Sequence, residues 1–102
     1  MKAAPLERNL TLWRPDLELK IINVKGLHAR ASAKFVEVVE QFDATAEVFK
    51  DGLNASGDSI MGLLMLAASK GTTIEVRTSG PEADQLLSAL KDLLGDCFGE
   101  GG

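Results

Sequence analysis

The sequence lacks most of the residues that disulfides, metal sites and membrane spans require. Its one cysteine, Cys97, cannot form an internal disulfide, and no histidine or second cysteine lies near it in sequence to complete a metal site. No apolar run approaches the length needed to span a bilayer, and residues 1–12 lack the pattern of a secretory signal. We therefore expect a soluble, cytoplasmic protein with no membrane insertion, no metal ion and no cofactor, in which Cys97 is inert.

Positive charge is also scarce, which limits the classes of partner. The chain carries a formal net charge of −4, and its eleven Lys and Arg residues are scattered along the sequence instead of forming a basic stripe. This distribution disfavours nucleic-acid binding, so we expect protein partners.

The length of 102 residues suits one domain with one core. Residues 1–16 contain two of the three prolines and no sustained periodicity, so we expect an N-terminal extension there. The folded domain is predicted over 17–95, and residues 96–102 are predicted to form a flexible C-terminal tail.

Hydrophobic periodicity predicts four strands and three helices within that domain. The predicted order is a strand from Leu17, a helix from about Ala29, a hairpin of strands 45–50 and 53–56, a helix over 60–68, a strand over 73–78 and a helix from Pro81 to Gly95. This order suits an α+β open-faced sandwich, in which a four-stranded antiparallel sheet carries all three helices on one face.

The only histidine, His28, falls between a strand end and a helix start, which is a favourable place for phosphate chemistry. The first amides of the helix, at Ala29, Arg30 and Ala31, have no helical acceptor and lie at the positive end of the helix dipole. The Arg30 guanidinium can bind the same phosphate oxygens. Because imidazole is largely uncharged near neutral pH, His28 can attack phosphorus. The alternative is that His28 only caps the helix or lies exposed in a loop.

Two separated motifs favour the chemical interpretation. The run Gly26-Leu27-His28-Ala29-Arg30-Ala31-Ser32-Ala33 is followed, after the hairpin, by Ser59-Ile60-Met61-Gly62. Together they resemble the histidine-containing phosphocarrier (HPr) family of the bacterial phosphoenolpyruvate-dependent phosphotransferase system, over about residues 17–94.

The resemblance implies a role for three residues. It implies that Nδ1 of His28 takes a phosphoryl group from phosphorylated enzyme I and passes it to a IIA-type acceptor, and that Arg30 assists both transfers. It implies that Ser59 is a target of the ATP-dependent HPr kinase/phosphorylase, although a serine before a helix is otherwise simply a cap. The protein would then be a substrate of phosphotransferases and not an enzyme.

The helix after Ser59 has more apolar residues than one buried stripe requires. We expect Ile60, Met61 and Leu64 to contribute to a surface that docks several partners, because methionine is an adaptable contact residue. The protein itself is expected to be a monomer.

Two departures from the family pattern bear on the choice of partner. Ala31 stands where most members have proline, and Glu37 and Glu40 make the first helix more acidic than in sugar-transport members. Both features lead us to expect the nitrogen-related regulatory branch. The competing functions are a regulatory binding protein of the same fold controlled through Ser59, and a plain interaction module in which His28 does no chemistry.

Overall fold

The computed structural model describes residues 16–100. The predicted extension over 1–16, including Trp13, therefore lies almost wholly outside the described residues. Within them, the elements follow one another as β1 (Asp16–Lys20), α1 (Ala29–Glu40), β2 (Thr45–Lys50), β3 (Leu53–Ser56), α2 (Ile60–Met65), β4 (Thr73–Ser79) and α3 (Ala83–Gly95).

The strands form one antiparallel sheet in the order β1-β4-β2-β3. The predicted hairpin between β2 and β3 is confirmed, and its turn residues Asp51 and Gly52 have φ angles of 51° and 81°. Positive φ at both central residues suits the right-handed twist of the paired strands. The four-stranded antiparallel sheet and the open-faced α+β architecture are as predicted.

Side chains on the strands alternate between a buried face and an open face. Leu19, Val48 and Val76 point into the core, whereas Glu18 and Glu47 lie on the opposite face of the sheet. The helices bury their apolar sides against the first of these faces, so the core lies between the sheet and the helices.

Helix α1 carries the functional region at its N-terminus, and its burial fixes that end in place. Ala31, Phe35 and Val39 lie at helical spacing, and all three are buried in the core. The opposite side of the helix includes Glu37 and Glu40, both exposed. Because the buried side anchors α1 along its length, the residues at its first turn have a defined position.

Helix α2 is shorter than predicted. It ends at Met65 with Leu66 as its cap, whereas the periodicity predicts a helix as far as residue 68. The physical reason is Ala67, which has a φ of 53° and so turns the chain out of the right-handed helix. Smaller differences occur at β4, which extends to Ser79, and at α3, which begins at Ala83.

The C-terminal segment, residues 96–100, packs on the domain, and this differs from the mobile tail predicted from residue 96. Its first part is a turn, Cys97–Gly99, in which all three residues have positive φ. The Phe98 side chain is buried among core residues, and Lys34 Nζ donates a hydrogen bond of 2.6 Å to the Phe98 carbonyl oxygen. Burial of a large aromatic side chain explains why the chain does not continue away from the body after α3.

Candidate functional site

The site is built around His28, which is the N-cap of α1. Its backbone is extended, with φ of −79° and ψ of −175°, and its carbonyl oxygen accepts the first helical hydrogen bond, from Ser32 N–H at 2.8 Å. The preceding loop is joined to the region after α2, because Leu27 N–H donates to the Ala68 carbonyl oxygen at 2.8 Å. His28 is thus held between the start of α1 and the chain that follows α2.

The two ring nitrogens of His28 have different partners. Nδ1 accepts a hydrogen bond of 3.2 Å from the backbone N–H of Arg30. Nε2 lies 2.5 Å from the Glu100 carboxylate oxygen Oε2. A carboxylate only accepts hydrogen bonds, so Nε2 carries the proton and Nδ1 presents its lone pair. Of the two nitrogens, Nδ1 is therefore the one able to act as a nucleophile.

Glu100 and Asn23 complete this arrangement, and the sequence analysis missed both. Asn23 is fully buried, and its Nδ2 donates to the Gly26 carbonyl oxygen at 2.8 Å and to Glu100 Oε1 at 3.0 Å. Each Glu100 oxygen thus has one donor. The only signal in the sequence was Phe98, a large apolar residue two positions before Glu100.

The electrostatic surroundings keep Glu100 ionised. Burial raises the pKa of the Glu100 carboxyl, but hydrogen bonds from Asn23 and His28, with the charges of His28 and Lys25, outweigh burial and leave the pKa below its ordinary value of 4.5. Near neutral pH the partner of His28 Nε2 is therefore a carboxylate.

A polar cavity of about 330 Å³ opens beside His28. Its charged lining residues are Lys25, Arg30, Lys34 and Glu100. Three basic groups and one acidic group make it electropositive, as a site for an anion requires. The amides of Ala29 and Ala31 lie in the same first turn of α1 as the Arg30 amide, and none of the three has a carbonyl acceptor within the helix. The structure thus brings together all four residues predicted for phosphate chemistry.

The model of the family described as the PTS HPr component phosphorylation site matches residues 16–96. The phosphocarrier protein HPr of Neisseria meningitidis serogroup A is 49% identical over 83 residues, covering 81% of this chain and 93% of that protein. This chain belongs to the HPr family.

A second relative and a solved structure agree with this assignment. The phosphocarrier protein NPr of Escherichia coli is 37% identical over 83 residues, covering 80% of this chain and 92% of that protein. The crystal structure of HPr-C-His from Thermoanaerobacter tengcongensis aligns with a TM-score of 0.81 at 33% identity, covering 85% of this chain and 98% of that one. The chain is accordingly a phosphocarrier of the phosphotransferase system. Glu100 lies beyond the region that the family model matches.

Ser59, the second motif residue, is the N-cap of α2. Its Oγ accepts a hydrogen bond of 3.0 Å from Gly62 N–H, and its side chain is half-buried. The loop between β1 and α1, residues 21–28, is named the His28 loop, and it contacts the segment that follows the other end of α2. Ser59 and His28 are thus separated by the length of the helix.

The predicted docking residues are not equally accessible. Ile60 and Met61 are exposed, whereas Leu64 is half-buried. Met65 was not predicted, yet at 75% it is the most exposed large apolar side chain among the described residues. Val24, also exposed, lies in the His28 loop and lines the cavity. The accessible apolar surface therefore includes both α2 and the loop before α1.

Residues 16–100 contain neither a membrane-spanning helix nor a cluster of metal-ligating side chains. No helix there is long and apolar enough to cross a membrane. In the same range, no group of three or more His, Cys, Asp or Glu side chains is arranged to hold a metal ion.

Proposed function

We propose that this chain accepts a phosphoryl group from enzyme I on Nδ1 of His28 and donates it to IIA-type acceptors. The observation that carries the proposal is the arrangement of the ring, in which Nε2 is bonded to a carboxylate and Nδ1 presents its lone pair to the start of α1. The chain is then a substrate of the phosphotransferases that act before and after it in the transfer, and it has no catalytic turnover of its own.

The start of α1 also supplies groups to bind the transferred phosphate. When Nδ1 forms its bond to phosphorus, its lone pair no longer accepts from the Arg30 N–H, which becomes available to a phosphate oxygen. The amides of Ala29 and Ala31 and the positive end of the helix dipole add to this binding. Arg30 lines the cavity, and its guanidinium stabilises the charge on the phosphoryl group during transfer.

The direct test is phosphorylation with phosphoenolpyruvate and enzyme I. The wild-type chain should gain one phosphate that is labile in acid and stable in base, and His28→Ala should gain none. Because His28 is partly exposed, the variant should retain its fold, which circular dichroism and thermal unfolding would check. The Ser59→Ala variant is the matched control, since it should be labelled as the wild type is. Normal acid-labile labelling of His28→Ala would refute the proposal.

We propose that partners dock on Ile60, Met61 and Leu64, together with Met65, beside the His28 loop. Of these residues, Met61 and Met65 offer the most accessible apolar area. Replacing either by glutamate should weaken binding to enzyme I without affecting the fold, whereas Leu53→Glu, an exposed apolar position on β3, should have no effect. A cytoplasmic location and a monomeric state stay predictions, and size-exclusion chromatography with light scattering tests the second.

The alternative, a regulatory protein controlled through Ser59, rests on phosphorylation by HPr kinase/phosphorylase. A phosphate on Ser59 would lie at the start of α2, beside Ile60 and Met61, and its charge would oppose apolar docking there. Treatment with the kinase and ATP should give an acid-stable phosphate at Ser59 by mass spectrometry. A Ser59→Ala variant is the control, and absence of acid-stable phosphate from the wild type would contradict this role.

The branch of the phosphotransferase system served by this chain is a separate question. The identity of 49% with an HPr exceeds that of 37% with NPr, so overall similarity does not favour the nitrogen-related branch that the acidic helix suggests. Glu37 and Glu40 are exposed on α1 and able to influence the encounter with a partner. Changing both to lysine should alter the relative rates with enzyme I of the two branches, more at low salt than at high salt. Equal ratios before and after the change would rule out a role in partner choice.

A further inference from the structure

Glu100 is the described carboxylate that contacts the reactive ring, and the contact joins residues 72 positions apart in sequence. The carboxylate is not a freely moving surface group. Its side chain is only 14% exposed, and its second oxygen accepts from the buried Asn23 amide. The segment that carries it is fixed by the burial of Phe98 and by the Lys34 hydrogen bond to the Phe98 carbonyl.

We propose that Glu100 is a positioning residue for phosphoryl transfer, acting through Nε2 of His28. This inference rests on the proposed role of His28 and names a group beyond the region that the family model matches. Asn23 orients Glu100, Glu100 orients the ring, and the ring presents Nδ1 toward the cavity. The arrangement follows the logic of a catalytic triad, in which a carboxylate fixes the tautomer of a histidine and stabilises its cation.

The chemical step shows why a carboxylate at Nε2 is useful. During acceptance, the Nδ1 lone pair forms the N–P bond while the bond from phosphorus to the donor's leaving atom breaks, and that electron pair stays with the donor. Nε2 keeps its proton, so the phosphorylated ring is cationic and is stabilised by the neighbouring carboxylate. During donation a lone pair on the acceptor's nucleophilic atom forms the new bond to phosphorus while the N–P pair returns to Nδ1. The neutral imidazole that leaves is a better leaving group than an imidazolate.

The charges around the ring come from three parts of the chain. Lys25 lies in the loop before α1, Arg30 and Lys34 lie on α1, and Glu100 comes from the C-terminal segment. The three basic groups line the cavity that would receive the phosphoryl group, and Glu100 contacts the nitrogen that does not bond to phosphorus. Basic groups would attract the anion, and the single acidic group would compensate the cation that forms on the ring.

The test compares Glu100→Gln, which removes the charge and retains the shape, with Glu100→Ala, which also removes the acceptor. Asp92→Asn, an exposed carboxylate on α3, is the matched control. At saturating phosphorylated enzyme I, both Glu100 variants should transfer phosphate about tenfold more slowly than the wild type, on the scale of one lost charge-assisted hydrogen bond. The donor concentration at half-maximal rate should change little, and Asp92→Asn should behave as the wild type.

A proton NMR measurement on the unphosphorylated protein tests the contact independently of transfer. The Nε2 proton should give a downfield, slowly exchanging resonance in the wild type, and this resonance should be absent from Glu100→Ala. Wild-type maximal rates in Glu100→Gln would overturn the inference, because shape alone would then suffice, and so would retention of the resonance in Glu100→Ala. If instead the wild type takes no acid-labile phosphate, the proposed function fails, while the resonance still reports whether Glu100 holds the ring.

Discussion

Truncation of Phe98 to alanine tests whether the C-terminal segment is part of the folded unit. The side chain is 1% exposed, so its removal deletes a fully buried aromatic ring. If the segment stayed in place around the resulting cavity, the loss of stability would be about 3–5 kcal/mol, as for other buried phenylalanines. If the segment detached, each released residue would regain about 1–2 kcal/mol of backbone entropy, and the measured loss would be smaller.

The expected decrease in the free energy of unfolding therefore lies at about 2–4 kcal/mol, which is a large share of the stability of a domain of this size. Denaturant unfolding followed by circular dichroism at low temperature measures it. Phe98→Leu, which retains most of the apolar volume, is the control and should lose less than about 1.5 kcal/mol. Phe98→Ala should also slow phosphorylation of His28, and adding Glu100→Ala to it should have no further effect on the rate, because both changes remove the same contact. A decrease below about 0.5 kcal/mol, typical of surface positions, would refute this reasoning and support the mobile tail that the sequence predicts.

Three further predictions concern other parts of the molecule. Arg30→Ala should slow phosphoryl transfer by about tenfold or more while leaving His28 able to take up phosphate, and an unchanged rate would show that the backbone amides suffice. Ala67→Gly should raise the free energy of unfolding by about 0.5 kcal/mol, because it relieves the backbone strain of an exposed alanine with a φ of 53°. The control Ala89→Gly, within α3, should lower the free energy of unfolding by about 1 kcal/mol, and a decrease in both variants would contradict the strain at residue 67. Because folding lowers the pKa of the Glu100 carboxyl, its contribution to stability is fully present above pH 4.5 and is lost as the pH falls through the lower pKa of the folded state. The stability difference between wild type and Glu100→Gln should therefore shrink below pH 4.5, and a constant difference would contradict an ionised Glu100 stabilised by hydrogen bonds from Asn23 and His28 and by the charges of His28 and Lys25.

Most helices and strands of this fold can be predicted from the sequence, because each is marked by the spacing of its own apolar residues and by the turn residues beside it. The hairpin is predictable because Asp51 and Gly52, between its two strands, readily adopt positive φ, and the start of α1 is predictable from the change to helical spacing of apolar residues after Gly26. The end of α2 was missed because the chain turns at Ala67, and alanine, unlike glycine, gives no signal of a left-handed conformation.

The residues of the candidate site also fall into a group that the sequence predicts and a group that it does not. His28, Arg30 and the first amides of α1 are neighbours in sequence, so one motif and one helix start predicted them together. Glu100 is 72 residues from His28 and 77 from Asn23, and only packing brings its carboxylate to both of them. Phe98 determines that packing, yet a single apolar residue after the last helix has no periodicity from which its burial could be predicted.

The position of Gly26 has a consequence for how the carrier meets its partners. Gly26 has a φ of 66°, and a Cβ atom there would lie 2.5 Å from the Ala68 carbonyl oxygen. No side chain fits between the His28 loop and the chain that follows α2, so the two are in direct backbone contact, and this contact sets the distance between them. A donor and an acceptor that both bind beside α2 would then have to place phosphorus at the same distance from that helix. Proteins of unrelated fold could then exchange phosphate through this carrier, provided that each of them matches this one distance between phosphorus and α2.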